Sequence, residues 1–353
     1  MSSVARTARG CDCIPQYWGF WTAFPTSMQD TPRPRPNIPI SIVRYSAIGG
    51  VMHIEDFAAL GDHAAAGLAA VELALDAGAR SSACGRIPIA GAAVARAADG
   101  RSRVICVGVN GRIPEDSGPG YPTDHGETGA IRQIADCRAV PWSEVVFATT
   151  LSPCIMCTRT LMHLHTLGLR RLVIAESESF GGRKDLLQSL PGMQIVELTH
   201  PPAVDMMQRF ARTYPWDWAA DIGEIPPSRL LVNLNAPALL TRLRALDATA
   251  GVFDENGRCV GHARDRRAET GDNPVQAAAL VAIGNAGSAI NLREHILVVD
   301  VADTLDLESF GASSLGACEL FRPAALVAPG PVAPALRDPL EAVGVRIVTA
   351  AGS

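Results

Sequence analysis

Hydrophobic positions along this 353-residue chain change their period several times, and each change marks an element. Over residues 53–77, HIEDFAALGDHAAAGLAAVELALDA, leucines recur at helical spacing in an alanine-rich background, and Gly78 follows as a stop. IPIAGAAVAR (87–96) and RVICVGVN (103–110) are apolar, β-branched runs joined by AADG, the pattern of a hairpin. DHGETGAIRQIAD (124–136) reads as a helix with a polar first turn, and EVVFATT (144–150) as a buried strand. PCIMCTRTLMHLHTLG (153–168) predicts a helix with Pro153 at its first helical position and glycine at its end. RRLVIAES (170–177) and MQIVEL (193–198) read as strands, and DMMQRFARTY (205–214) as a helix ahead of Pro215. Strands alternating with helices predict an α/β fold, a three-layer α/β/α sandwich around one sheet.

After PPS (226–228) the pattern starts again. ATAGVFDENGRCVGHARD (248–265) resembles the first hairpin, and DNPVQAAALVAIG (272–284) lines up with DHGETGAIRQIAD. TLDLESFGASSLGACELFRPAALVAP (304–329) lies over TLSPCIMCTRTLMHLHTLGLRRLVIA (150–175) without a gap. Matching order and lengths predict a tandem duplication of one fold. Three segments follow: an N-terminal extension over 1–50, a first domain over 51–226 and a degenerate copy over 227–353. The extension crowds Trp18, Phe20 and Trp21 ahead of PRPRPNIPI (32–40), which reads as a poorly ordered, extended connector.

Composition narrows the function classes. The chain is 48% hydrophobic and 19% charged, with a formal net charge of −5. Mild acidity without a basic stripe argues against nucleic acid as a partner. No uninterrupted apolar run reaches the roughly 18 residues of a membrane span, so no membrane partner is expected. Nine scattered cysteines without framework spacing fit a reducing, cytoplasmic setting better than a stapled secreted fold.

The candidate chemistry is concentrated between His125 and Cys157. Cys154 and Cys157 lie one helical turn apart at a helix start, where free N–H groups favour thiolates. His125 opens a different helix and can supply a third ligand. Zinc takes imidazole nitrogen and thiolate sulfur at four tetrahedral positions; three ligands leave one for water, as in a catalytic site. Glu127, beside that position, can take a proton from the water and deliver it to a leaving group. A redox pair, or a structural zinc closed by His163 or His165, are the alternatives for the CxxC alone.

The set HGE (125–127) and PCIMC (153–157) has the arrangement of the zinc base deaminases. With RIPIAGA (86–92), the asparagine of VGVNGR (107–112), TTLSPCIMCT (149–158), VIAESESF (173–180) and YPWDWAADIGE (214–224), the chain resembles the cytidine deaminase-like superfamily, and within it the fungal type of cytosine deaminase. The resemblance covers about 53–225. It implies zinc on His125, Cys154 and Cys157, with Glu127 as the catalytic proton shuttle. It also implies a pyrimidine held by Asn110, by the backbone of Gly126, Leu151 and Ser152, by Phe180 and Trp218 closing over its faces, and by Asp221 at its amine. The implied reaction is hydrolytic deamination of a free base, first of all cytosine to uracil and ammonia. Ala219 stands where the family has a bulky aromatic, and so predicts a roomier pocket. That leaves open another amino-heterocycle (guanine-like, pteridine-like or a biosynthetic intermediate), an editing deaminase acting on polynucleotides, or a non-catalytic zinc module.

In the second copy His125 becomes Asn273, Glu127 becomes Val275, Cys154 becomes Glu308 and Cys157 becomes Gly311. No zinc is expected there. Because fungal-type enzymes are homodimers, the resemblance implies an intrachain pseudo-dimer of the two copies, with a homo-oligomer as the alternative.

Overall fold

A computed structural model describes residues 52–114, 120–226, 234–301 and 304–350. The extension over 1–50 and the middle of the 112–124 loop fall outside these residues.

The first sheet is built from β1 (Ala90–Arg96), β2 (Ser102–Val109), β3 (Val145–Thr149), β4 (Arg171–Ile174) and β5 (Gln194–Glu197). Its order is β2-β1-β3-β4-β5. The β1–β2 hairpin and the β1–β3 pair are antiparallel, whereas β3, β4 and β5 run parallel. Parallel strands need helical crossovers, and both sheet faces are then covered. The period-two alternation is sharp: Ala92, Val94, Val146, Ala148 and Val173 face one layer, while Ala93, Ala95, Val145, Phe147, Leu172 and Ile174 face the other.

The helices of this half are α1 (Ala64–Ala83), α2 (Gly126–Ile131), α3 (Ile155–Thr166), α4 (Lys184–Gln188), α5 (Pro201–Thr213) and α6 (Pro215–Asp221). The run Ile54–Ala83 passes a length-and-composition test for a membrane span although charged residues such as Glu72 and Asp76 interrupt it. Gly61, at φ 55°, breaks it. Beyond the break α1 packs Ala66, Ala70, Val71, Ala74 and Leu75 on the outer face of the sheet, so its apolar stripe is spent on the core. α2 is far shorter than the predicted 124–136, and it lies hard against β2. A Cβ on Gly108 would stand 2.1 Å from the backbone nitrogen of Ala130, so only glycine permits that approach.

The second sheet comprises β6 (Ala250–Phe253), β7 (Cys259–Ala263), β8 (Ile296–Val299), β9 (Ala325–Ala328) and β10 (Arg346–Thr349), in the order β10-β9-β8-β6-β7. Its helices are α7 (Ala236–Ala245), α8 (Ala278–Ala286), α9 (Leu307–Phe310), α10 (Ala312–Phe321) and α11 (Pro334–Ala342). Strand order and directions repeat those of the first sheet, and both hairpins carry a register shift that skips one residue of the second strand, Ile105 in β2 and Val260 in β7. The ungapped sequence alignment places β4 on β9 residue for residue.

The two sheets share one core. α3 packs against α10, and a single apolar cluster runs from Phe147 and Leu161 to Leu315 and Leu326. Their close crossing needs Gly316, whose added Cβ would stand 2.7 Å from the Cα of Met156. Arg159 donates from Nε and Nη2 to both carboxylate oxygens of Glu319, at 2.5 and 2.8 Å.

Candidate active site

The site forms where the N-termini of α2 and α3 converge beside the C-terminal end of β3. His125 caps α2: its backbone is extended, its N–H donates to Thr128 Oγ1 at 2.8 Å, and its carbonyl accepts from Gly129. Cys154 caps α3 with φ −66° and ψ 174°, and its carbonyl accepts from Thr158 N–H at 2.8 Å. Pro153 therefore precedes the cap instead of standing at the first helical position. The extended cap backbone places the first helical φ/ψ only at Ile155. Cys157 is the third helical residue, so both sulfurs look out of the helix start.

His125, Cys154 and Cys157 are buried, and their ligand atoms lie within 4.8 Å of one another. His125 Nδ1 is 3.3 Å from Cys154 Sγ. Its other nitrogen, Nε2, is shut from solvent without a hydrogen bond and faces Asp221 Oδ1 at 3.4 Å. A carboxylate behind the free ring nitrogen is the usual support of a metal-bound imidazole. Burial alone would keep His125 neutral, but Asp221 and the Cys154 sulfur outweigh it and raise its pKa to about 9. Burial also opposes charge on Cys154, yet the hydrogen bond from Cys157 and the His125 cation hold its thiol well below the ordinary value. Cys157 is pushed well above it by burial and by its charged neighbour. Two thiols and an imidazole enclosed together cannot all take their ligating forms without a compensating cation, and this soft donor set suits zinc.

Glu127 is 2% exposed, and its Oε1 accepts from Thr149 Oγ1 at 2.9 Å. Burial raises its pKa, with the Cys154 charge adding to the effect. A cleft of about 250 Å³ opens over these groups, and Leu151, Ser152, Phe180, Trp218 and Asp221 line it. Phe180 and Trp218 meet edge to face, with centroids 5.6 Å apart and planes at 89°.

Two sequence-predicted residues sit behind this wall. Asn110 donates from Nδ2 to Asp221 Oδ1 at 2.9 Å and accepts from the N–H of Arg112 at 3.0 Å, so its amide bonds protein groups at both ends. Gly126 lies against the backbone of Ala90 on β1. Ala219 does not line the cleft. His163 and His165 are not near the thiols; they meet the carbonyls of Asp272 and Pro191, at 3.1 and 2.9 Å. None of the described cysteines forms a disulfide.

Sequence reasoning missed Ile89 and Ile222, which complete the lining, as well as Thr149 and Phe321. Thr149 and Ile222 stand inside the motifs already singled out, where polarity and position were the available signals. Phe321 carried none: it comes from α10 and meets the His125 ring edge-on at 6.4 Å. In the second half Asn273 also caps a helical turn, as His125 does, but its amide donates to the carbonyls of Ile131 and Ile134, at 3.0 and 2.8 Å. It thus satisfies carbonyls at and just beyond the short α2, work that a longer helix would have done itself.

Residues 67–176 match the family profile described as the cytidine and deoxycytidylate deaminase zinc-binding region. The cytosine deaminase of Candida albicans is 32% identical over 154 residues, covering 44% of this chain and 95% of that protein. A solved chain from work on A-to-I editing by tRNA:A34 deaminases is 24% identical, covers 38% of this chain and 96% of its own, and superposes with a TM-score of 0.29. A nearly full-length relative at this identity, together with a buried imidazole and two thiols beside a buried glutamate, leads to one conclusion: the chain belongs to the cytidine deaminase-like superfamily and is a zinc-dependent hydrolytic deaminase.

Proposed function

We propose that the chain deaminates a free pyrimidine base, cytosine, to uracil and ammonia. The observation that carries this reading is the small cleft itself, where an aromatic pair stands opposite a buried glutamate and an aspartate backed by an amide. A flat heterocycle with one exocyclic amine matches those groups in shape and in hydrogen-bonding sense.

In this reading His125, Cys154 and Cys157 hold the zinc ion. When bound, zinc supplies the Lewis acidity that makes water a nucleophile near neutral pH. Glu127 does the proton work. It accepts a proton from the attacking water, passes it to ring N3 as the C4–O bond forms, and carries the second proton to the amine, which leaves as ammonia. Thr149 fixes the carboxylate through Oε1. Asp221 accepts an N–H of the amine and is itself held by Asn110. Leu151 and Ser152 offer backbone groups at the cleft edge, while Phe180 and Trp218 exclude water from the base.

Ammonia release from cytosine, 5-methylcytosine, cytidine, guanine, a pterin and single-stranded RNA tests the reading. Cytosine is expected to give the highest kcat/KM. Turnover of guanine or the pterin but not of cytosine would replace the proposed substrate, and inactivity on the whole panel would overturn the reading.

We further infer that the second half takes the place of a partner subunit, since it covers the α3 face with α10. Light scattering on the purified protein is expected to return the mass of one chain. A dimer that persists on dilution would contradict this.

A further inference from the structure

A second concavity, open to solvent and spanning about 410 Å³ with the solvent at its mouth included, lies between the two halves and shares no lining residue with the catalytic cleft. Arg112 and Gly223 line it from the first half; Ile290, Leu292, Arg293 and Phe321 line it from the second. Arg112 is only 8% exposed. Its guanidinium carbon stands 5.7 Å from the centroid of the Phe321 ring, and its Nη1 is shut from solvent with no hydrogen-bond partner. Arg293 is half-buried and uses Nη2 to donate to the carbonyl of Gly223 at 2.6 Å.

A guanidinium carries five N–H donors, and leaving them unmet in a buried place is costly. Burial disfavours the charge on both arginines, and the neighbouring Arg322 adds to that on Arg293. The charges of Asp221 and Asp217 offset it at Arg112, and that of Glu224 at Arg293. Asp221 is already engaged by Asn110 and faces His125. The cavity therefore has one buried guanidinium with an unmet donor, Arg112, and a second, partly exposed one, Arg293, along a wall that is apolar at Ile283, Ile290, Leu292 and Phe321 and polar at Asn291. Concave sites for small ligands have that make-up, and guanidinium groups select carboxylate and phosphate by paired donors.

We propose that this seam cavity is a second small-molecule site, for a ligand whose carboxylate or phosphate meets Arg112 and Arg293 while a flat apolar body rests on Phe321, Ile290 and Leu292. The site lies one residue layer from the catalytic cleft. Arg112 holds Asn110 through its backbone N–H, and Phe321 touches His125 edge-on. The proposal is independent of which heterocycle is deaminated.

Isothermal titration of the zinc-loaded full chain with benzoate, phenyl phosphate and the neutral isostere benzamide tests it. One equivalent of benzoate or phenyl phosphate is expected to bind, at least tenfold more tightly than benzamide, and the tighter of the two names the headgroup. Arg293→Gln is expected to weaken binding at least tenfold. Ile290→Trp, which fills the cavity from a half-buried position, is expected to abolish it. Circular dichroism reports folding, so either variant decides if the other fails to fold. Absence of binding by both anions, equal affinity for benzamide, or binding unchanged in a folded variant would overturn the proposal.

Discussion

Glutamine at position 127 is expected to leave a folded, zinc-loaded protein whose turnover falls by about 10²–10⁴-fold, the usual contribution of a positioned acid–base group. The amide is nearly isosteric and keeps an oxygen to accept from Thr149 Oγ1, so the wall of the cleft should persist. What it cannot do is take up and release a proton. Burial raises the pKa of the native carboxyl, and this is the property the reaction uses and the substitution removes. Cys154→Ser provides the contrast, because it weakens the soft donor set itself. Both variants are expected to lose ammonia release, but only the serine variant should lose zinc by elemental analysis. A Glu127→Gln protein with undiminished turnover, or one that also loses its zinc, would remove Glu127 from the proton-transfer role.

The second large effect lies on α3, two residues beyond the Cys157 thiol but at the seam with α10. Arg159→Leu is expected to cost about 2–3 kcal/mol of stability, between the values for exposed and fully buried pairs. Its side chain is 19% exposed and that of Glu319 is 11% exposed, so the lone carboxylate would remain largely shielded from water between α3 and α10. At about 2–4 °C per kcal/mol the unfolding midpoint should fall by roughly 5–10 °C. Adding Glu319→Leu removes the stranded charge, and the double variant should recover to within about 1 kcal/mol of the native protein. Differential scanning calorimetry on the three variants and the native chain measures this. If the double variant is no more stable than Arg159→Leu, the loss comes from packing and not from an uncompensated charge.

Much of the first half was readable because its elements carry strong local signals. β1 to β5 fall where apolar and β-branched runs placed them: the central strands β1, β3 and β4 bury both faces, and the edge strands β2 and β5 keep exposed positions. The boundaries of α2 and α3 were not readable in the same way. α2 ends at Ile131, where Asn273 from the second half meets carbonyls at and beyond its end, and a sequence window around 124–136 contains no trace of that donor. The start of α3 shifted by two residues because a proline is equally at home just before a cap and just inside one, and only backbone torsion separates the two.

The repeat shows the same division. Equal spacing between the halves was visible as an ungapped alignment, and the recurring strand order and register shift follow it. Nothing in that alignment said which faces of the two sheets would meet. Small side chains at the crossing decided it, because Gly316 lets α10 approach Met156 closely enough for Arg159 to reach Glu319.

By itself the sequence determined the kinds of chemistry available: an imidazole, two thiols one turn apart and a carboxylate two residues from the imidazole, each tied to a helix start by local spacing. Tertiary structure alone decided how those groups are tuned and enclosed. Burial acts on all of these groups; Asp221 favours the charged form of His125, while the neighbouring imidazole and thiols shift one another and Glu127. Phe321 and the seam cavity beside it exist only because a distant half of the chain folds back, and through-space packing of that kind leaves no periodicity for a sequence to display.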